Sequence, residues 1–200
     1  MSCQFSRWNT SGILLLTCLV CLTGCSSTHP VPKMPQPAAP LIPVDGEAIP
    51  ALTFAELILD IPHQVPIGYR YEGLEYIRGD EIRWSEHFGA QTDVLNQDSR
   101  TVLTEAGYRV SEDDPRALRL VGTMSRVSFN SYAAKVSFDQ AECQMTWQLY
   151  RDGAEAPYFT TVTHGAGRVD AKKMGAIRAA FELALRRLLA NPDFVAAVSE

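Results

Sequence analysis

The chain is poor in the features that most chemistry requires. It has 18 Lys and Arg against 23 Asp and Glu, a formal net charge of −5. A nucleic-acid partner is thereby disfavoured, because affinity for phosphate backbones comes largely from clustered cations that neutralise phosphates. Four histidines are spread through the sequence, with His29 near the N-terminus and His63, His87 and His164 further on. No HExxH, CxxC or HxH spacing accompanies them, so a metal site lacks its usual ligand pairs and neither metal nor cofactor is expected. Nucleophilic catalysis finds no GxSxG elbow, no SxxK and no Cys next to an activating His. A small hydrolase would have to assemble its centre from His87 or His164 and a distant Ser, Cys or carboxylate, as in a pairing of Glu86 with His87. No apolar run reaches the roughly 20 residues that a spanning helix needs. No internal repeat is present. Two hundred residues exclude a large multidomain machine.

What is present at the start is a targeting signal. Arg7 is the one charge in the first ten residues, and an apolar run from Gly12 to Leu22 follows, about the length of a signal-peptide hydrophobic region. It ends in Leu22, Thr23, Gly24 and Cys25, and then serines and prolines. These four residues resemble the lipobox of bacterial lipoproteins. The resemblance implies that the Cys25 thiol is diacylated, that the peptide is cut just before it, and that the new amine is acylated. The small residues Thr23 and Gly24 let the peptidase approach the backbone. An ordinary secretory signal with an incidental Cys, or an uncleaved anchor, is the competing reading. Placement, apolar run and the Pro-rich sequence that follows all agree with the lipobox. Several acyl chains on one residue hold a protein on a membrane where one chain does so only marginally. Ser26, rather than Asp, after the modified Cys resembles the outer-membrane class, with the domain facing the periplasm.

Cysteine usage fits that layout. Cys3, Cys18 and Cys21 would leave with the signal and Cys25 would carry lipid, so Cys143 remains as the one thiol. It sits in the alternation Cys143, Met145, Trp147, Leu149 and reads as a small buried hydrophobe.

Residues 26–50 contain seven prolines in 25 positions and little apolar bulk, which reads as a tether. At ~3.1 Å per residue in polyproline II it would hold a domain up to about 80 Å from the membrane. The domain organisation expected is thus 1–24 signal peptide, 25–50 lipidated Cys and tether, and 51–200 periplasmic domain.

Within that domain, 54–61 reads as a strand closed by Pro62. Residues 65–77 read as a strand pair or a long ordered loop, with a further extended piece around Trp84. A helix is expected from Thr92 or Asp93 to Ala106, stopped by Gly107, with a strand at 108–110. Leu118, Leu120, Gly122 and Met124 alternate as in a half-buried strand. A strand over roughly 134–150, a turn at Asp152 and Gly153, and a returning strand at 158–164 complete a hairpin. Gly165 and Gly167 read as a reversing loop at a strand-to-helix junction. Met174, Ile177, Phe181, Leu185 and Leu188 then mark an amphipathic helix over about 170–190, and 193–198 a short helical turn. The order gives an α+β fold: a two-layer sandwich of a mainly antiparallel sheet with two main helices on one face.

Tyr69, Tyr71, Tyr76 and Trp84 lie among Gly and Arg and form a candidate ligand or partner surface, with core packing as the alternative use of the same rings. The pairs Lys172, Lys173 and Arg186, Arg187 read as solvated helix faces. The stretch 92–198 is similar in pattern to modules of lipopolysaccharide-assembly lipoproteins, of auxiliary lipoproteins of envelope transporters, and of the N-terminal domain of TolB-like proteins. That resemblance implies a docking or assembly accessory of an envelope complex, with a protein partner and no enzymatic activity. Glycan or lipid binding through the aromatic surface is the alternative, and the small hydrolase the second.

Overall fold

The computed structural model describes residues 40–73, 75, 77–84, 92–111, 113–114, 116–133, 137–170 and 175–200. Its centre is a mixed sheet of six strands: β1 (Leu52–Leu59), β2 (Pro66–Glu72), β3 (Ile77–Arg83), β4 (Leu118–Ala133), β5 (Phe138–Tyr150) and β6 (Phe159–Asp170). Among the described residues, helices α1 (Thr92–Glu105), α2 (Ala176–Leu189) and α3 (Pro192–Ser199) pack with this sheet in an α+β fold. Strand order is β3, β2, β4, β5, β6. The β2–β3, β4–β5 and β5–β6 pairs are antiparallel.

Two parallel pairings lie outside the expected hairpins. β1 runs beside the first half of β4, from Leu52 opposite Leu118 to Leu59 opposite Met124. β2 joins the far end of the same edge, with Arg70, Tyr71 and Glu72 opposite Ser131, Tyr132 and Ala133. One long strand thus carries two shorter ones in succession along one side.

The period-two pattern of β5 explains the layering. Asp139, Ala141, Cys143, Met145, Trp147 and Leu149 are all buried, whereas Gln140, Gln144, Thr146, Gln148 and Tyr150 are half-buried and Glu142 is exposed. Burying the first set excludes water from a continuous apolar surface, and this is the main driving term for the fold. Against it pack Ile177, Phe181, Leu185 and Leu188 of α2, Leu95, Val102 and Leu103 of α1, and Phe194 and Val198 of α3. The opposite face carries the polar alternates.

Where α2 meets β6 the approach is closest. A Cβ on Gly165 would overlap the Ala180 carbonyl, and one on Gly167 would overlap that of Ala176. The fully buried Ala176, Ala180 and Ala184 form the matching helix stripe. Gly165 and Gly167 therefore lie inside a strand that continues to Asp170, not in a reversing loop. The glycines are needed because the helix backbone rests on them. Consequently α2 begins at Ala176, later than its apolar spacing suggested.

Trp147 ties three elements together. Its indole N–H donates to Thr163 Oγ1 at 2.7 Å, and that hydroxyl donates to the Ala184 carbonyl at 2.9 Å. The arginine pair of α2 is likewise engaged. Arg186 reaches Glu182 at 2.8 Å and Glu105 of α1 at 3.1 Å, and Arg187 donates to the His164 carbonyl of β6 at 2.7 Å. These side chains link helix to helix and helix to strand.

Part of the Pro-rich stretch belongs to this body. Ile49 is in the core and Leu41 and Val44 pack against it. Gly107, at φ +91°, ends α1 and leaves room for the Val44 backbone to pass. Among the described residues no helix is long and apolar enough to cross a membrane.

Candidate functional site

The face of the sheet turned away from α2 carries a ladder of stacked side chains at one end. Backbone register places Tyr71 of β2, Tyr132 of β4 and Phe138 of β5 in one transverse row. Tyr71 and Tyr132 stack at 4.9 Å with 9° between planes, and Tyr132 and Phe138 at 4.5 Å with 21°. Arg168 of β6 covers the outer side of this row, 3.7 Å above the Phe138 ring. At the other end Arg78 of β3 lies 3.4 Å above the Tyr69 ring. A guanidinium stacked on a ring keeps its N–H donors in plane and directed outward, which suits carboxylates and phosphates.

Tyr69 and Tyr71 of the predicted aromatic set are half-buried. Trp84 is not part of the surface: at 3% exposure it sits in the core, beyond the end of β3, where a large apolar ring gains most by leaving water. Tyr76 lies outside the described residues, as do Cys25, His29, Glu86, His87, Lys172 and Lys173. Tyr132, Phe138, Arg78 and Arg168 were missed by sequence reasoning, because only strand register brings them together. The ring faces in the ladder are largely spent on one another, since Tyr132 and Phe138 are 6% and 4% exposed.

Beneath the ladder, Asp139 is buried on the helix side of β5, opposite Ser131, which itself lies opposite Arg70. Burial raises its pKa from the ordinary Asp value, while a hydrogen bond from Ser131 and the charge of Arg70 pull it down.

A groove of about 460 Å³ opens beside the bulge at Ser125, where the pairing with β5 slips between Met124 and Arg126. Its walls are residues 125–128 of β4 and the connection from Ile61 to Ile67, with Glu142, Cys143, Gln144 and His164 on the far side. His164 is exposed, and among the described residues its imidazole has no hydrogen-bond partner. Cys143 is 4% exposed, and burial pushes its thiol up to about 12. Such a thiol is protonated at neutral pH and a poor nucleophile. His63 lies in the exposed turn after β1. No group of three metal-ligating side chains occurs among the described residues.

A second cleft of about 450 Å³ lies at the far end of the sheet, lined by Thr53, Asp114, Arg119, Arg151, Asp152 and Glu155 among others. Its cations are engaged: Arg119 stacks on Tyr150 at 4.5 Å and Arg151 on Tyr158 at 4.9 Å.

No protein-family model and no curated protein sequence matches the chain. Among solved structures it is similar to protein XCC0632 of Xanthomonas campestris, of the family DUF330, at 18% identity and TM-score 0.38, over 76% of this chain and 87% of that one. A minor lipoprotein of Acinetobacter baumannii is similar at 14% identity and TM-score 0.36, over 62% and 89%. A protein of Caulobacter crescentus CB15, provisionally classed as a lipoprotein, is similar at 16% identity and TM-score 0.37, over 56% and 85%.

Proposed function

We propose that the chain is a lipid-anchored envelope protein whose domain docks onto an envelope complex or transporter as an assembly accessory and performs no chemistry of its own. Cys25 carries the acyl chains at the outer membrane, the Pro-rich residues between it and the packed Leu41 are the tether, and the domain faces the periplasm. The docking half of this reading rests on one observation. Among the described residues the sheet is covered by helices on one side only, and its other side presents half-buried Tyr69 and Tyr71 between two ring-stacked arginines. Tyr and Arg are the residues that interfaces use as anchors. At the neighbouring groove, His164 and Cys143 do not form a hydrogen-bonded pair.

Direct glycan recognition would need open ring faces, and Arg78 already occupies one face of Tyr69. A protein partner uses ring edges and guanidinium donors equally well, and so fits the ladder better. Purification from crosslinked native envelopes tests this: one stoichiometric protein partner is expected. Recovery of the lipoprotein alone with several crosslinkers of different reach would refute docking.

A further inference from the structure

The side of β4 that carries β1 and β2 has a gap in its pairing. β1 leaves it at Met124, with a last backbone hydrogen bond from Asp60 N–H to the Met124 carbonyl at 3.0 Å. β2 returns at its other end: Tyr69 N–H donates to Asn130 Oδ1 at 3.1 Å, and strand pairing resumes with Arg70 opposite Ser131. Gly68 is pressed against the Phe129 carbonyl. Between these points no strand pairing to residues 125–128 is made on this side among the described residues, a stretch of roughly 13 Å at ~3.3 Å per residue, and Pro66 and Ile67 at the start of β2 form part of the wall opposite. The connection that bypasses it, 60–65, contains Pro62 and the left-handed Gln64 at φ +69°. The groove described above opens from this gap over the sheet face, as far as Glu142 and Gln144 of β5 and His164 of β6.

We propose that the gap is a slot for an extended segment of the protein partner, which adds as a strand of about three or four residues along 125–128 of β4. This deepens the docking reading and rests on it. An unpaired strand edge offers a row of N–H and C=O groups, and an extended peptide backbone is the ligand that matches such a row. The facing wall is apolar, with Ile61, Pro62, Val65, Pro66 and Ile67, and Val65 is 44% exposed. Alternate side chains of an inserted strand would pack there. Charge selects among such segments. Arg126 on the rim is exposed, with no ion-pair partner among the described residues; Gln144 stands between it and His164, and Glu142, opposite Ser128, is the one carboxylate on the described lining. The segment therefore carries a carboxylate on the rung that faces Arg126, and apolar residues toward Ile61 and Val65.

The test uses the full lipidated chain in its native envelope, with a photoreactive residue at Ser128 and, separately, at Tyr71. Crosslinked residues on the partner are mapped by mass spectrometry, and a synthetic peptide of the mapped stretch is added to the purified full chain in detergent. Expected are Ser128 crosslinks confined to one short stretch, slowed amide exchange at 125–128 with the peptide, and peptide binding weakened about tenfold by Arg126→Glu. That variant should keep its unfolding temperature within about 2 °C, since Arg126 is exposed and makes no ion pair. Ser128 crosslinks to lipid alone, crosslinks scattered over a folded surface, or a peptide that leaves exchange at 125–128 unchanged would overturn the slot. Crosslinks from Tyr71 with none from Ser128 would overturn the slot while leaving docking intact, and none from either would overturn both.

Discussion

Replacing Thr163 with Val keeps the shape of a fully packed site and removes one hydroxyl that serves two partners. In the native chain that oxygen accepts from the Trp147 indole at 2.7 Å and donates to the Ala184 carbonyl at 2.9 Å. Trp147 is 0% exposed, so the stranded N–H has no water to turn to. A buried donor left unsatisfied costs about 1–3 kcal/mol, whereas the Ala184 carbonyl can keep a helical partner and loses less. The expected loss is therefore about 2 kcal/mol, or roughly 4–8 °C in unfolding temperature for a domain of this size. Urea unfolding followed by Trp fluorescence measures it. Trp147→Phe removes the donor as well as some packing, so Thr163→Val in the Trp147→Phe background should cost about 1 kcal/mol less than it does alone. A loss under about 0.5 kcal/mol for Thr163→Val, or no coupling in the cycle, would refute the claim that this hydroxyl joins β5, β6 and α2.

Three further outcomes follow from packing and charge. Gly165→Ala should destabilise by about 3 kcal/mol or more, because the helix carbonyl it meets cannot rotate away; Gly153→Ala, at φ +66° with open space around it, should lose only about 1–2 kcal/mol in the same unfolding assay. Asp139 has its folded pKa raised, chiefly by burial, so the folded state binds more protons than the unfolded one, and this group's contribution falls as pH rises from the ordinary carboxylate pKa through the raised value. Asp139→Asn should accordingly show less loss of stability than the native chain across that window, and an unchanged difference between acid and neutral pH would contradict the assignment. The Cys143 thiol, raised to about 12 by burial, should resist iodoacetamide at neutral pH and react fully in urea. Fast alkylation of the folded chain would contradict its burial.

The parts of the fold that could be read directly are those governed by local periodicity. Leu118, Leu120 and Met124 and the Cys143-to-Leu149 alternation announce β4 and β5, and the apolar spacing of Ile177, Phe181, Leu185 and Leu188 announces α2. Gly165 and Gly167 misled because glycine usually breaks a strand, and the reason for them is a helix packed from elsewhere in the chain. β3 was faint because only Ile82 of its seven residues is buried, so the pattern carried little signal. The ladder was half legible: Tyr69 and Tyr71 stood out among Gly and Arg, but Tyr132, Phe138 and Arg168 join them only through register between strands far apart in sequence. Trp84 has the same neighbours in sequence yet is buried, since composition around a ring does not report which way it faces. The gap at 125–128 depends on two parallel strands sharing one side of β4, which no local pattern encodes.

The proposed lipid anchor at Cys25 is tested most directly by the mass of the mature N-terminal peptide. For protein purified from native membranes, the expected chain begins at Cys25 and bears a diacylglyceryl thioether with an acylated amine. An unmodified Cys25 thiol, or a mature chain beginning at any other residue, would contradict it.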